Sequence, residues 1–439
     1  MYFSYHRLLL ARQWALLLLL PAAVSLTAAR PPVTASHMDA SIAADEPDLT
    51  ASQMDASIAA DEPALTASQM GKSTGMTSRP SGDALSFNLD IRPVYSYVHT
   101  TERDGSRNSE QSMNLRTRAG LTYRLSDQIT FRGRAAARLS TSQDSFRFLL
   151  DDHTGGSGSY PAGSITLDIF QIRWQLLPDL RITAGRFQGR FPLEGFIPKS
   201  ADRYYAANLA ISHTDGIWLE WDASEKWRLH LIGSHNGTAG SSHAARKPLR
   251  FDESSSSRIS GFANIQHRDT RGRWAQRELS ISFTPKNFYR DDKLRNLAAL
   301  STRWMYRPAL STHGEEYLVG GELGLIPVAP KPSDAGLLIN EDRLLLGSSA
   351  ISWQVSAYAN NLFERHRIGI LYGQTDPHWL ISSSFAPNVT MAEFRYRFTI
   401  APWIHYEFRL RRRGEIFLPE GAAQTRRIFD FYTRFTVSL

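Results

Sequence analysis

The chain has 439 residues, 42% hydrophobic and 21% charged, with a formal net charge of +7 and a mean hydropathy of −0.32. The negative hydropathy excludes a helical membrane bundle, which needs runs of roughly 20 apolar residues per span. Cysteine is absent, which excludes disulfide frameworks, thiolate metal sites and cysteine nucleophiles.

Residues 1–29 read as a secretory signal peptide. Arg7 and Arg12 supply its positive start, Trp14 to Leu20 its apolar core, and Thr27-Ala28-Ala29 small residues for cleavage. Export argues against a nucleic-acid partner, although arginine carries most of the basic excess. A repeat of period 16 follows: Thr34–Leu49 is nearly repeated as Thr50–Leu65, and the unit restarts at Thr66. Two small, acidic, proline-containing units bury no core, so 30–83 reads as a disordered spacer.

From residue 84 the hydrophobic period is two. At the C-terminus Phe429, Phe431, Thr433, Phe435, Val437 and Leu439 alternate with Asp430, Tyr432, Arg434, Thr436 and Ser438. Successive strand side chains point to opposite faces, so such a strand is greasy on one side and polar on the other. Sixteen segments of this kind extend from 85–99 to 427–439, among them 113–125, 129–140, 389–400 and 403–413. Connections alternate between short ones (126–128, 177–179, 222–226, 268–275, 307–315, 359–365, 401–402) and long ones (100–112, 141–164, 191–211, 235–257, 285–296, 327–345, 375–388, 414–426). Strands of about 9–11 residues with short turns at one end and long loops at the other predict an all-β fold, a transmembrane antiparallel up-and-down β-barrel of about 16 strands over 84–439. The last strand is expected to pair with 85–99, because a sheet edge in lipid leaves backbone groups unsatisfied.

With its signal peptide, alternating strands and loop asymmetry, the chain resembles a sixteen-stranded outer-membrane porin of Gram-negative bacteria. It departs from that pattern by ending on Leu439 rather than on Phe or Trp. The stretch Ala184-Gly185-Arg186-Phe187, with Arg203 and then Thr214-Asp215-Gly216, is also similar to the phosphate-selective porin family. The resemblance implies a homotrimer in outer-membrane lipid and lipopolysaccharide. It also implies a third long loop folded into the lumen, here 191–211, with Glu194, Lys199, Asp202 and Arg203 as constriction candidates.

A barrel of this size leaves an aqueous channel, and inward side chains set its selectivity. The inward candidates are Arg116, Arg118, Arg132, Arg134, Arg395, Arg397, Arg409, Arg411 and Arg434. Guanidinium is permanently charged and binds carboxylate or phosphate, so small anions are the expected solutes. The competing expectation pairs these arginines with Asp90, Asp168, Glu220, Glu278, Glu393 and Glu407 in cross-strand ladders, leaving little selectivity.

No enzyme, cofactor or metal site is expected. Gly233-Ser234-His235-Asn236-Gly237 and Ser212-His213-Thr214-Asp215-Gly216 hold hydrolase-type residues in an order that fits ordinary turns better. Asp151-Asp152-His153 and Asp291-Asp292 bring too few spaced ligands for a metal. The rival reading is a plugged barrel with a structural or adhesive role.

Overall fold

The computed structural model describes residues 84–141, 147–148, 164–187, 191, 193, 214–236, 258–269, 271–291, 293–309, 314–335, 337–340, 344, 346–379 and 386–439. The chain divides into Met1–Glu46 and Pro47–Leu439. The expected signal peptide (1–29) and spacer (30–83) lie outside the described residues.

The described residues form β1 (Leu85–Thr101), β2 (Arg107–Arg124), β3 (Ile129–Ser140), β4 (Arg147–Phe148), β5 (Ser164–Leu177), β6 (Leu180–Phe187), β7 (Thr214–Trp221), β8 (Trp227–Asn236) and β9 (Arg258–Arg268). They continue with β10 (Trp274–Arg290), β11 (Lys293–Tyr306), β12 (Glu316–Ile326), β13 (Ala350–Leu362), β14 (His366–Thr375), β15 (Val389–Ala401), β16 (Ile404–Glu415) and β17 (Arg427–Ser438). The two-residue β4 lies parallel to β5. The other sixteen strands pair antiparallel with both neighbours and form one closed sheet.

Closure is direct. β1 and β17 pair from Asp90↔Ser438 to Thr101↔Arg427. Leu89 and Leu439 then exchange both backbone hydrogen bonds, at 2.9 and 2.8 Å. The final strand thus pairs where the alternation placed it, and Leu439 makes the seam without an aromatic terminus.

The alternation resolves into an inside-out molecule. Phe87, Met113, Phe170, Ile172, Ile217, Leu279, Ile281, Val355, Ile370 and Phe435 are exposed on the outer face. The intervening Arg92, Arg118, Asp168, Asn264, Glu278, Arg395, Glu407 and Arg434 are buried. An apolar outer band around a polar interior suits hydrocarbon surroundings.

Two connections that read as long loops are strand instead. Residues 100–112 belong mostly to the β1–β2 hairpin, whose turn spans 102–106. Its polar residues pair across the strands: His99 Nδ1 lies 2.8 Å from the Ser109 hydroxyl and Ser96 lies 2.7 Å from Ser112, oxygen to oxygen. Gly105, at φ 92°, makes the tight reversal. Residues 285–296 likewise continue β10 and β11 after a bulge, with Phe288↔Arg295 and Arg290↔Lys293 paired. Asp291 takes the left-handed φ of 52° in that turn, a conformation Asp tolerates. Polar, strand-compatible residues continue a ladder as well as apolar ones once they rise above an apolar band. The strict short–long alternation of the connections therefore fails at these two hairpins.

Candidate functional site in the barrel interior

The interior has three chemically different walls. The first runs over β15, β16, β17, β1, β2, β3 and the start of β5, and it is arginine-rich. Arg92, Arg116, Arg118, Arg132, Arg134, Arg138, Arg395, Arg397, Arg409, Arg411, Arg413 and Arg434 share it with Asp90, Asp168, Glu393, Glu407 and Asp430. Among the described residues of this wall guanidinium groups outnumber carboxylates, even with Glu415 at the end of β16, which pairs with Arg103.

Register explains how they are held. Arg92 stands opposite Arg116, and Arg395 opposite Arg409. Like charges directly across a sheet repel, and the carboxylates sit between them. Asp90 takes Arg92 at 2.9 Å and Arg116 at 3.3 Å. One Glu407 oxygen takes Arg397 at 2.7 Å and Arg434 at 3.0 Å, and the other takes Arg395 at 3.3 Å and accepts the Tyr432 hydroxyl at 2.5 Å. Asp430 takes Arg409, Arg411 and Arg413 at 2.6, 2.8 and 3.2 Å. The Tyr432 ring lies under Arg409, whose guanidinium carbon is 4.2 Å from its centroid, so the phenol is both acceptor face and donor in one network.

Asp168 enters this wall through a bulge. Arg134 pairs with Ile169 while Ala135 pairs with Leu167, which leaves Asp168 as the extra residue, aimed inward. It receives Arg134 bidentately at 2.7 and 2.8 Å and Arg118 at 3.0 Å. Arg132 forms no ion pair among the described residues.

The second wall, over β9 to β13, is nearly neutral. Asn264, Gln266, Gln276, Ser280, Ser282, Ser301, Ser352, Gln354 and Ser356 are buried there. The Asn264 amide donates to Ser280 at 2.8 Å, and Glu278 pairs with Arg303.

The third wall carries an apolar patch among polar groups such as Thr183, Glu220 and His230, and the alternation did not foretell that patch. Phe187, Trp218, Ile232 and Phe262 are buried on β6 to β9. Phe191, just after β6, packs its ring 5.0 Å from Phe262, 5.7 Å from Trp218 and 4.9 Å from His230. Two residues later, Leu193 packs against the buried cluster formed by Ala275, Met305, Leu318, Tyr358, Leu371 and Met391 on β10 to β15. The start of the β6–β7 connection therefore leaves one wall and touches another, inside the barrel. From the β14–β15 connection, Trp379 also enters this apolar group, fully buried. A side chain built at Gly324 would meet the Trp379 ring at 2.4 Å. That close approach is what the glycine permits.

Most of the sequence-based candidates can be placed. Arg116, Arg118, Arg395, Arg397, Arg409, Arg411 and Arg434 are buried on the first wall, and Arg132 and Arg134 are half-buried there. The constriction candidates Glu194, Lys199, Asp202 and Arg203 lie outside the described residues, as do Asp151, Asp152, His153, Ser212 and His213. The carboxylate partners Asp90, Asp168, Glu278, Glu393 and Glu407 take arginines as the ladder expectation required. Glu220 takes Arg181 at 3.5 Å. Sequence reasoning missed Asp430 and Tyr432 as network centres. Both fall on the polar parity of the last strand, which was the available signal. Arg186 and Asp215 join the two halves of the phosphate-porin-like stretch in a bidentate pair at 2.9 and 3.1 Å.

No family model matches the chain, and no curated protein matches it. Among solved structures, OprB of Pseudomonas putida, determined at high pH, is similar at a TM-score of 0.55 and 9% identity, over 81% of this chain and 94% of that one. The fold is that of a porin barrel. OmpF of Salmonella typhi in complex with daunomycin aligns at 0.47 and 9% identity, over 80% and 98%.

Proposed function

We propose that the chain is an outer-membrane porin: a channel for passive diffusion of small hydrophilic solutes with a preference for anions. In this reading residues 1–29 direct export through the periplasm and 30–83 serve as a spacer. The barrel then assembles as a homotrimer among lipid and lipopolysaccharide. The observation that carries the reading is the inside-out closed barrel in whose polar interior, among the described residues, arginines outnumber carboxylates on one wall. A low-dielectric wall of one charge sign raises the local concentration of the opposite ion. Pairing lowers that field without cancelling it, because the carboxylates are outnumbered. The pore-lining set is then Arg116, Arg118, Arg132, Arg134, Arg395, Arg397, Arg409, Arg411 and Arg434. Glu194, Lys199, Asp202 and Arg203 belong to the loop that begins at the inward-packed Phe191 and Leu193.

A plugged barrel is the second reading, favoured by one specific observation: Phe191, Leu193 and Trp379 all pack within the interior. Planar-bilayer recording under a salt gradient separates the two. Stepwise conductance with a reversal potential on the chloride side supports the anion channel. Cation selectivity overturns the anion preference, and silence in a membrane-inserted protein supports the plug.

A further inference from the structure

At the short-turn end, the β9–β10 turn and the β11–β12 connection border an open cavity of about 470 Å³ lined by Arg271, Arg273, Arg307, Glu315, Glu316 and Tyr317, with the Glu315 carboxylate accepting the Tyr317 hydroxyl at 3.2 Å. Asp269 organises the described part of the turn. The Asp269 carboxylate accepts the backbone N–H of Arg271 at 3.2 Å and of Gly272 at 2.9 Å, and takes the Lys226 ammonium at 2.7 Å. Arg307 ties the two connections together, donating to the Gly272 carbonyl at 2.9 Å and to Glu316 at 3.0 Å. Glu316 is thereby matched by its own cation. Arg271 and Arg273 are exposed, and neither guanidinium has an ion-pair or hydrogen-bond partner among the described residues.

Directly beside them the outer face turns aromatic. Trp274 follows Arg273, and its ring lies edge-on to Tyr306 at 5.3 Å and to Trp304 at 6.0 Å. Trp274 is 46% exposed. Amphipathic rings of this kind sit at the headgroup level of a bilayer. Unsatisfied cations above and an exposed aromatic platform below match a molecule with an anionic head and an apolar tail.

We propose that this corner binds an anionic phospholipid of the membrane leaflet that faces the short turns. Arg271 and Arg273 take the phosphodiester, while Trp274, Trp304 and Tyr306 pack against the glycerol and upper acyl chain. The site rests on the membrane reading of the barrel, and it is independent of what the channel passes.

The test is native mass spectrometry of the delipidated full-length protein titrated with dioleoylphosphatidylglycerol or dioleoylphosphatidylcholine. At about fivefold per arginine near a membrane surface, the wild type is expected to retain the anionic lipid roughly tenfold or more over the zwitterionic one. Arg271→Gln with Arg273→Gln is expected to bring the two lipids to near parity. Equal retention by the wild type overturns the proposal, and so does a preference that survives in the double variant. Millimolar inorganic phosphate distinguishes a lipid from a free anion: retention that survives it supports the lipid, and full displacement overturns it. Planar-bilayer insertion and conductance of both proteins report the membrane reading separately, and both are expected to be unchanged by the substitutions.

Discussion

Glu407→Gln asks whether the arginine wall is held together by its few carboxylates. Glu407 is fully buried, and its two oxygens serve Arg395, Arg397, Arg434 and Tyr432. Glutamine keeps the volume and one acceptor but removes the charge, leaving three guanidiniums converging on a neutral amide. Breaking a buried ion pair from one side costs about 3–5 kcal/mol, because the stranded charge is not resolvated. Here three cations lose their common partner, so the upper part of that range applies. Urea unfolding in detergent, followed by tryptophan fluorescence, measures the loss. Adding Arg434→Leu to the variant is expected to recover part of it, since one guanidinium no longer lacks a counter-charge. A loss below about 1 kcal/mol, the scale of solvated surface pairs, would refute the reasoning and show that these arginines do not depend on Glu407 for their counter-charge. The same variant is expected to shift the reversal potential further toward anions.

The remaining predictions address other parts of the molecule. Trp379→Ala should cost about 3–5 kcal/mol in the same unfolding assay and raise the single-channel conductance by vacating the interior. An unchanged conductance would detach Trp379 from the pathway. In the β9–β10 turn, the Asp269 carboxyl is lowered from 3.8 to about 2, chiefly by the Lys226 ammonium and then by the N–H groups of Gly272 and Arg271. A depressed carboxylate contributes stability that is present above its unfolded value and lost as pH falls through its folded one. The wild type should therefore lose stability between about pH 4 and 2, and Asp269→Asn should flatten that limb of the unfolding-midpoint profile. Deleting residues 436–439 removes the reciprocal Leu89–Leu439 bonds and part of the β1–β17 register. The expected outcome is loss of the heat-modifiable folded band on unboiled gels, whereas normal folding would contradict closure at this seam.

The fold was largely legible because a barrel in lipid imposes one rule on every strand. The rule is visible in 428–439, where every second residue from Phe429 is apolar except Thr433, and it holds again in 394–400 and 404–411. Strand ends were less legible. Above the apolar band the selection for alternation lapses, so Arg107–Gln111 and Lys293–Arg295 read as loop although they pair. The arginine face was legible from the same parity that exposes Phe435 and buries Arg434. Its centres were not, because Asp430 draws Arg409, Arg411 and Arg413 from the next strand, and no local spacing encodes that register. The apolar inner patch was hidden for a further reason. Trp218, Ile232 and Phe262 occupy inward positions that the rule reserves for polar residues, and only the chain returning into the lumen at Phe191 explains them.

The most direct test of an inside-out barrel is site-directed spin labelling along β17, which the absence of native cysteine makes clean. Single cysteines at positions 428 to 437, labelled and reconstituted in lipid, report collision with dissolved oxygen, which concentrates in hydrocarbon. The account predicts high oxygen accessibility at 429, 431, 433 and 435, and low accessibility at 430, 432, 434 and 436, with a period of two. A uniform profile, or one with its phase reversed so that the arginine face meets lipid, would contradict it.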